Sequence, residues 1–500
     1  MLNLRPGPNR HFRIVVSAWV LLIAGCTSLP SVGPDYVRPQ NPDFPAWQLG
    51  DPVYQPASSR EQIAQWWHQL DDANLDWLID QALASDLSVA AAQARLRQAR
   101  ASRAVAVSAF YPTVSVTTAA TPTNYGASSS SRPDQTQFDV GFDASWELDI
   151  FGATRRSVEA STAELQAAEA SLGNIQVTVV AEVAQNYVDV RNFQQRLDIA
   201  RRNLAAQAQT LQIAQWRNQA GLVRQTDVDQ ARASLAQTRA GIPDLEIGLA
   251  RAKNRLAVLT GQPPGAVNER LASREPLPIL PDTIMTDVPA TVLTQRPDIQ
   301  VAERHLAAQT ALVGQRIAER YPSLSLGGSF SWSAYSLTGL GTMDAFVSRV
   351  VGRLAATIFD AGRLRSLVDV QTQAQQEALA NYELVVLRAL EEVENALLAH
   401  ALSRNRTQSW LEAAAASSSA ATQSRQLYQA GLIDFEQVLI TERAQLNAQE
   451  SLAQSRATEL ITLVQLYKAL GGGWQPEHEP QTTQIQPEAD QQPQNKSESV

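Results

Sequence analysis

Apolar positions recur along this chain on two periods. From Ala153 to about Gln219 there is no proline and one glycine, Gly173, and Leu364 to about Ala430 contains neither. Each stretch reads as one continuous helix. At about 1.5 Å per residue, roughly 65 residues extend to about 100 Å, longer than any compact core requires. Each is followed by a turn signal, Ala220-Gly221-Leu222 and Ala430-Gly431-Leu432, with glycine where a helix C-cap takes a left-handed conformation. A returning helix then places an apolar or small residue at every seventh position. In the first these are Val228, Leu235, Ile242, Leu249 and Leu256; in the second, Leu439, Leu446, Ala453, Leu460 and Tyr467. A seven-residue repeat held this long predicts left-handed supercoiling against a partner helix. Pro243 removes a backbone donor inside the first returning helix, so a kink or break is expected between Arg239 and Pro243.

The second period is two. Phe138, Val140, Phe142, Ala144, Trp146, Leu148 and Ile150 alternate with Asp139, Gly141, Asp143, Ser145, Glu147 and Asp149, which gives one apolar and one acidic face. Leu324, Leu326, Phe330 and Trp332 likewise alternate with Ser323, Ser325, Ser329 and Ser331. Less regular strands are expected around Pro112 to Ala120 and Val350 to Ile358, with outer loops at Pro122 to Gln137 and Ser333 to Phe346. A small soluble sheet packed on a core is the commoner fate of such strands. Here Asp139, Asp143, Glu147 and Asp149 would have to share a wet face, as they would in a membrane barrel with apolar residues toward lipid and Asp139, Asp143 and Glu147 toward a water-filled lumen. Four strands cannot close such a barrel, for which about eight is the minimum. Open edges do not persist in lipid, so the barrel would have to be assembled from several chains.

The chain is also an internal duplication. Tyr111-Pro112-Thr113-Val114-Ser115-Val116 recurs as Tyr321-Pro322-Ser323-Leu324-Ser325-Leu326, and the same offset relates Val183 to Val393, Gly221 to Gly431, Val228 to Val438 and Gly261 to Gly471. The expected fold is mainly helical with membrane β. Two tandem repeats each run helix, strand, loop, strand, long helix, tip and returning helix. The expected organisation is a signal peptide at 1–25, a lipid-anchored segment at 26–70, repeat one at 71–261, a proline-rich linker at 262–286, repeat two at 287–474 and a disordered tail at 475–500.

Charge and composition narrow the function. The 500 residues carry a net charge of −9 without a concentrated basic surface, so no nucleic-acid partner is expected. The five histidines are scattered, which leaves no local metal motif, and neither a phosphate-binding loop, a dinucleotide fingerprint nor a G-x-S-x-G elbow is present. No cofactor, metal or catalytic residue is expected. Arg5, Arg10, His11 and Arg13 precede an apolar run, Ile14 to Ala24, too short to span a bilayer and suited to a secretory signal. It ends in Ile23-Ala24-Gly25-Cys26, which resembles a lipobox; the resemblance implies cleavage before Cys26, acylation of its sulfur and, with Thr27 next, an outer-membrane destination.

At this point several motifs converge. Val32-Gly33-Pro34-Asp35-Tyr36-Val37-Arg38-Pro39, Trp66-Trp67, Asp149-Ile150-Phe151-Gly152, Arg296-Pro297-Asp298-Ile299, Ile358-Phe359-Asp360 and Ala469-Leu470-Gly471-Gly472-Gly473-Trp474, in this order and spacing, resemble the TolC-type outer-membrane efflux channels, most closely their lipid-anchored OprM/NodT branch. The resemblance implies a homotrimer whose four strands per chain build one twelve-stranded barrel, continuous with a periplasmic helical tunnel. It implies passive conduction of small molecules such as drugs from an inner-membrane efflux pump of the RND type. A periplasmic membrane-fusion adaptor would meet the hairpin tips at Gly221, Leu222, Gly431 and Leu432, with outer-membrane lipid around the barrel.

The family closes its periplasmic end with converging helix tips, commonly with an aspartate ring. Here the corresponding stretch reads Val438-Leu439-Ile440-Thr441-Glu442-Arg443, so Ile440 stands where the aspartate is expected. An apolar constriction at Ile440, a ring made by Asp434, Glu436 or Glu442, and simple solvated tip charges all remain open. Alternatives of other classes are a lipid-anchored coiled-coil scaffold without pore activity, a type I protein secretion exit duct, and an envelope hydrolase. The acidic strand speaks against the scaffold and the scattered histidines against the hydrolase.

Overall fold

The computed structural model describes residues 31–40, 54–56, 60–124, 135–281, 283–286 and 296–475. Cys26, the leader before it, the middle of the first outer loop and the tail from residue 476 lie outside the described residues. The described elements are β1 (Tyr54–Pro56), α1 (Arg60–Ala64), a 3-10 turn (Trp66–Leu70), α2 (Ala73–Ser85), α3 (Leu87–Ser108), β2 (Thr113–Thr123), β3 (Gln135–Leu148), α4 (Ala153–Gln219), α5 (Gln225–Leu259), β4 (Ile284–Thr286), α6 (Pro297–Ala318), β5 (Ser323–Ala334), two 3-10 turns (Leu337–Gly339 and Met343–Ala345), β6 (Phe346–Ala355), α7 (Arg363–Gln429) and α8 (Phe435–Ala469).

The duplication is carried through in three dimensions. Helices α4 and α7 are both 67 residues, about 100 Å each, and α5 and α8 are both 35. The turns that bound them repeat as well: φ is 87° at Gly152 and 88° at Gly362, 71° at Gly221 and 75° at Gly431. Helix α5 passes through Pro243 without the break expected at Arg239 to Pro243. Arg239 and Gly241 are exposed there, so the carbonyl deprived of its donor sits on an exposed side of the helix, open to solvent.

Alanine and glycine set the close spacing of the helices. Ala160, Ala163, Ala167, Ala170 and Gly173 form a buried stripe on α4, and Ala163 packs with Ala307 and Ala308 of α6. Gly173 is the single glycine of its long helix because the Trp474 indole lies against it, where a Cβ would overlap the ring. Midway along the long helices the two repeats share one core. Trp66, Leu75, Leu78 and Ile79 meet Val180, Val183, Tyr187 and Leu256 of the first repeat and Leu460, Leu463 and Tyr467 of the second. The Trp66 and Tyr467 rings stack at 5.2 Å. The proline-rich linker is not only a connection: Ile284 in β4 pairs in parallel with Tyr54 in β1, a ladder the sequence did not announce.

The other four strands form one antiparallel sheet in the order β2-β3-β5-β6, which leaves β2 and β6 as edges. Two strand ends depart from expectation. Strand β3 stops at Leu148 because the Asp149 carboxylate accepts the backbone N–H groups of Thr154 (3.1 Å) and Arg155 (2.9 Å) and so belongs to the start of α4. Strand β6 stops at Ala355 rather than Ile358 because Ala355 already pairs with Ser323, the first residue of β5, so β5 offers no further partner. No described helix is long and apolar enough to cross a membrane.

Candidate functional site

Directly opposed residues of neighbouring strands share a face, so the ladder registers assign every side chain to one side of the sheet. One side carries Val114, Val116, Phe138, Val140, Phe142, Trp146, Leu324, Leu326, Phe330, Trp332, Phe346, Val350 and Leu354. These side chains have no core to enter. Val350 is 80% exposed, Leu354 70% and Val114 68%, and Phe346 meets only its neighbours on the same face, Trp332 at 5.6 Å and Phe330 at 6.4 Å between ring centres. An apolar sheet face left this bare requires an apolar surrounding.

The opposite side carries Asp139, Asp143 and Glu147, as expected from the sequence, together with Ser323, Ser325, Ser329, Ser331 and Ser333. The Thr117 hydroxyl donates to Asp143 at 2.9 Å and the Gln137 amide to Asp139 at 3.1 Å. Sequence reasoning missed Arg349 and Arg353. They occupy this same polar face, opposite Ser329 and Ser325, while Val347, Val351 and Ala355 alternate with them. Their signal was the duplication itself, because Arg349 and Arg353 are the repeat-two counterparts of Asp139 and Asp143 at the common offset.

Below the sheet, the segment from Val32 to Arg38 is fixed to both repeats. Val32 donates its N–H to the Phe151 carbonyl (3.1 Å). The buried Arg156 guanidinium donates to the Val32 and Gly33 carbonyls (both 3.2 Å) and pairs with Asp35 (2.7 Å). Further along, Tyr36 donates to Glu303 (3.1 Å) and Arg38 pairs with the same carboxylate (3.1 Å). Arg296 of the Arg-Pro-Asp motif donates to the Ala469 carbonyl at the end of α8 (2.7 Å) and pairs with Asp298 and with Glu392. Glu392, on α7, thus ties that helix to the Arg-Pro-Asp motif.

At the far end the two hairpin tips are built alike. Leu222 donates its N–H to the Arg217 carbonyl (2.8 Å) and Leu432 to that of Leu427 (2.9 Å), closing the six-residue loop that a left-handed Gly221 or Gly431 permits. Tyr428, Phe435, Val438 and Leu439 of the second hairpin pack with Ala214, Val228 and Ala231 of the first, and the Arg217 guanidinium lies 4.6 Å from the Tyr428 ring centre. Leu222 and Leu432 are 67% and 71% exposed. Trp216, which sequence reasoning passed over, is exposed beside them.

Among the tip candidates, Asp434, Glu436 and Ile440 are exposed. Glu442 is not, which corrects its place among the lumen-ring candidates. It is 4% exposed, accepts from the Thr210 hydroxyl at 2.9 Å and lies 4.0 Å from Arg425. Helix α8 turns this position inward against α4 and α7, and burial holds the carboxyl above the usual glutamate range despite Thr210 and Arg425.

Comparisons with known proteins agree with this geometry. A family model described as outer membrane efflux protein matches residues 78–262 and 288–472. Nodulation protein T of Rhizobium leguminosarum bv. viciae is 30% identical over 470 residues, covering 93% of this chain and 94% of that protein. The probable outer membrane lipoprotein SilC of Salmonella typhimurium is 28% identical over 459 residues, covering 91% of this chain and 97% of its own. Among solved structures, the outer-membrane channel OprN is similar with a TM-score of 0.83 at 35% identity, covering 89% of this chain and 100% of its own. The chain belongs to the outer membrane efflux protein family.

Proposed function

We propose that this chain is the outer-membrane channel of a tripartite efflux system and works as a homotrimer. The observation that carries this is the four-stranded sheet with one bare apolar face, one polar face and two unpaired edges, continuous with helices of 67 residues. Three such sheets joined edge to edge make a closed twelve-stranded barrel with no strand edge in lipid. The long helices extend the same conduit about 100 Å into the periplasm. Cys26, acylated, would anchor the chain in the inner leaflet. Val32 lies only six positions further on, a reach of about 20 Å, and Val32 is pinned at the base of the sheet. The tips at Gly221, Leu222, Gly431 and Leu432 are the surface for a periplasmic adaptor, which would hand over solutes driven by an inner-membrane pump.

In this reading Asp434, Glu436 and Ile440, all exposed near the second tip, form the periplasmic constriction. Conductance of the Ile440→Ala channel is expected to rise, and no change in Ile440→Ala, Asp434→Asn or Glu436→Gln would remove this level from the gate. The main test is recording from purified protein in planar bilayers. Discrete conductance steps from a particle of three chains are expected; a monomer without steps would overturn the proposal.

A further inference from the structure

The polar face is not uniformly acidic, and the order of its charges follows from the registers. Asp143 lies opposite Ser329, which lies opposite Arg349; one row below, Glu147 lies opposite Ser325, which lies opposite Arg353. Each acid is thus two strands from an arginine, about 10 Å at the usual strand spacing. All three positions in each row share one face. Arg349, Arg353, Asp143 and Glu147 are exposed, and among the described residues neither arginine forms an ion pair or a side-chain hydrogen bond.

The duplication also fixes what stands at the seam between chains. Within the chain, β3 pairs with β5; by the common offset, β6 is the counterpart of β3, and β5 the counterpart of β2. The β2–β3 and β5–β6 registers agree under that shift, since Thr113 pairs with Ser145 and Ser323 with Ala355. Repeating the β3–β5 register at the seam sets Arg353 beside Ala119 of the next chain, as Asp143 is set beside Ser329 within one chain. Ala119 in turn pairs with Asp139. Arg353 therefore stands between Glu147 of its own chain and Asp139 of the next, two strands from each.

We propose that the barrel lumen is lined by alternating acidic and basic columns, Asp139, Asp143 and Glu147 on β3 against Arg349 and Arg353 on β6. In a trimer these make three pairs around the wall. Fields between neighbouring columns run across the pore, not along it. Such a wall passes ions of both signs and aligns solutes that carry both charges, so the substrate class it suits is zwitterionic or amphoteric small molecules. This rests on the channel proposed above, and it replaces the purely acidic lumen expected from β3 alone.

The test is the reversal potential of single channels in a potassium chloride gradient at about 0.1 M or below, where the screening length is about 10 Å and wall charges still act. Replacing both arginines, Arg349→Gln with Arg353→Gln, is expected to shift selectivity toward potassium by about threefold or more. Asp143→Asn with Glu147→Gln is expected to shift it toward chloride, and Arg349→Lys with Arg353→Lys to leave it at the wild-type value. Should the glutamine pair yield no channels, Arg353→Cys alone is recorded before and after reaction with a cationic thiol reagent, which is expected to restore the wild-type reversal potential. Conducting variants with unchanged reversal potentials would overturn the alternating lining while leaving the channel intact. A wild-type protein without conductance steps would instead overturn the channel on which it rests.

Discussion

Gly173 and Trp474 meet near the end of the second repeat, and the contact leaves no room for a side chain. A Cβ at Gly173 overlaps the indole, and Trp474 itself is 9% exposed. Gly173→Val is expected to lower stability by about 1–3 kcal/mol, the usual cost of overpacking. Adding Trp474→Ala should cost less than the two single changes summed, because the clash disappears with the ring. Thermal unfolding in detergent reads both. Glu442 makes a different kind of prediction, in pH. Burial raises its pKa in the folded chain above the ordinary value of 4.5, so between those two values the folded state holds the proton that the unfolded state has lost. Its contribution is therefore best below about pH 4.5 and worsens as pH rises through the raised folded value. Glu442→Gln keeps an acceptor for the Thr210 hydroxyl without the buried charge. The variant should melt higher than wild type at neutral pH, with the difference closing as pH falls toward 4.5. An equal difference at both ends of that window would show that the carboxyl's charge is not what destabilises the tip.

Each tip is one glycine away from losing its turn. Gly221 has open space around its Cβ position, so the cost of a side chain there is the left-handed backbone alone. Gly221→Ala is expected to cost about 1–2 kcal/mol, and Gly221→Asn less, since asparagine tolerates this region. Protease cleavage at the tip, faster in the alanine variant than in the asparagine variant, would report it. These helices and turns were legible in the sequence because their signals are local: an absence of proline, a glycine at the C-cap, an apolar residue every seventh position. The strand ends were not. Whether Asp149 ends β3 or caps α4 depends on two backbone N–H groups across the turn, and whether β6 reaches Ile358 depends on a neighbour that the chain alone does not supply. Glu442 shows the same limit at the tip. An acid two positions after Ile440 reads as a surface charge until the faces of α4 and α7 are known. The arginines on β6 were missed because residues 346–355 alternate poorly, although their offset from Asp139 and Asp143 was available.

At the scale of the molecule, the proposed trimer makes this chain one third of a closed object. The bare apolar face, the edges at β2 and β6 and the unpaired stretch after Ala355 would all be met by the completion proposed above, a second copy whose β2 lies against this β6. The duplication gives that seam a register. Ser145 pairs with Gly327 inside the chain, so the equivalent residues, Ala355 of one subunit and Thr117 of the next, should face each other. Opposed residues of antiparallel strands lie about 4.5–5.5 Å apart at Cα, within the range a disulfide spans. A chain carrying Ala355→Cys and Thr117→Cys should therefore link on oxidation into species of two and three subunits, all reverting on reduction. Val351→Cys with Thr117→Cys displaces one partner by four residues, about 13 Å along the strand, and should stay monomeric on a denaturing gel. The sequence contains a single native cysteine, Cys26, and its sulfur would be acylated, so each single variant serves as its own blank. Linking by the displaced pair and not by the aligned pair would mean that the seam does not repeat the internal register. The order of lumen charges across subunits would then have to be redrawn.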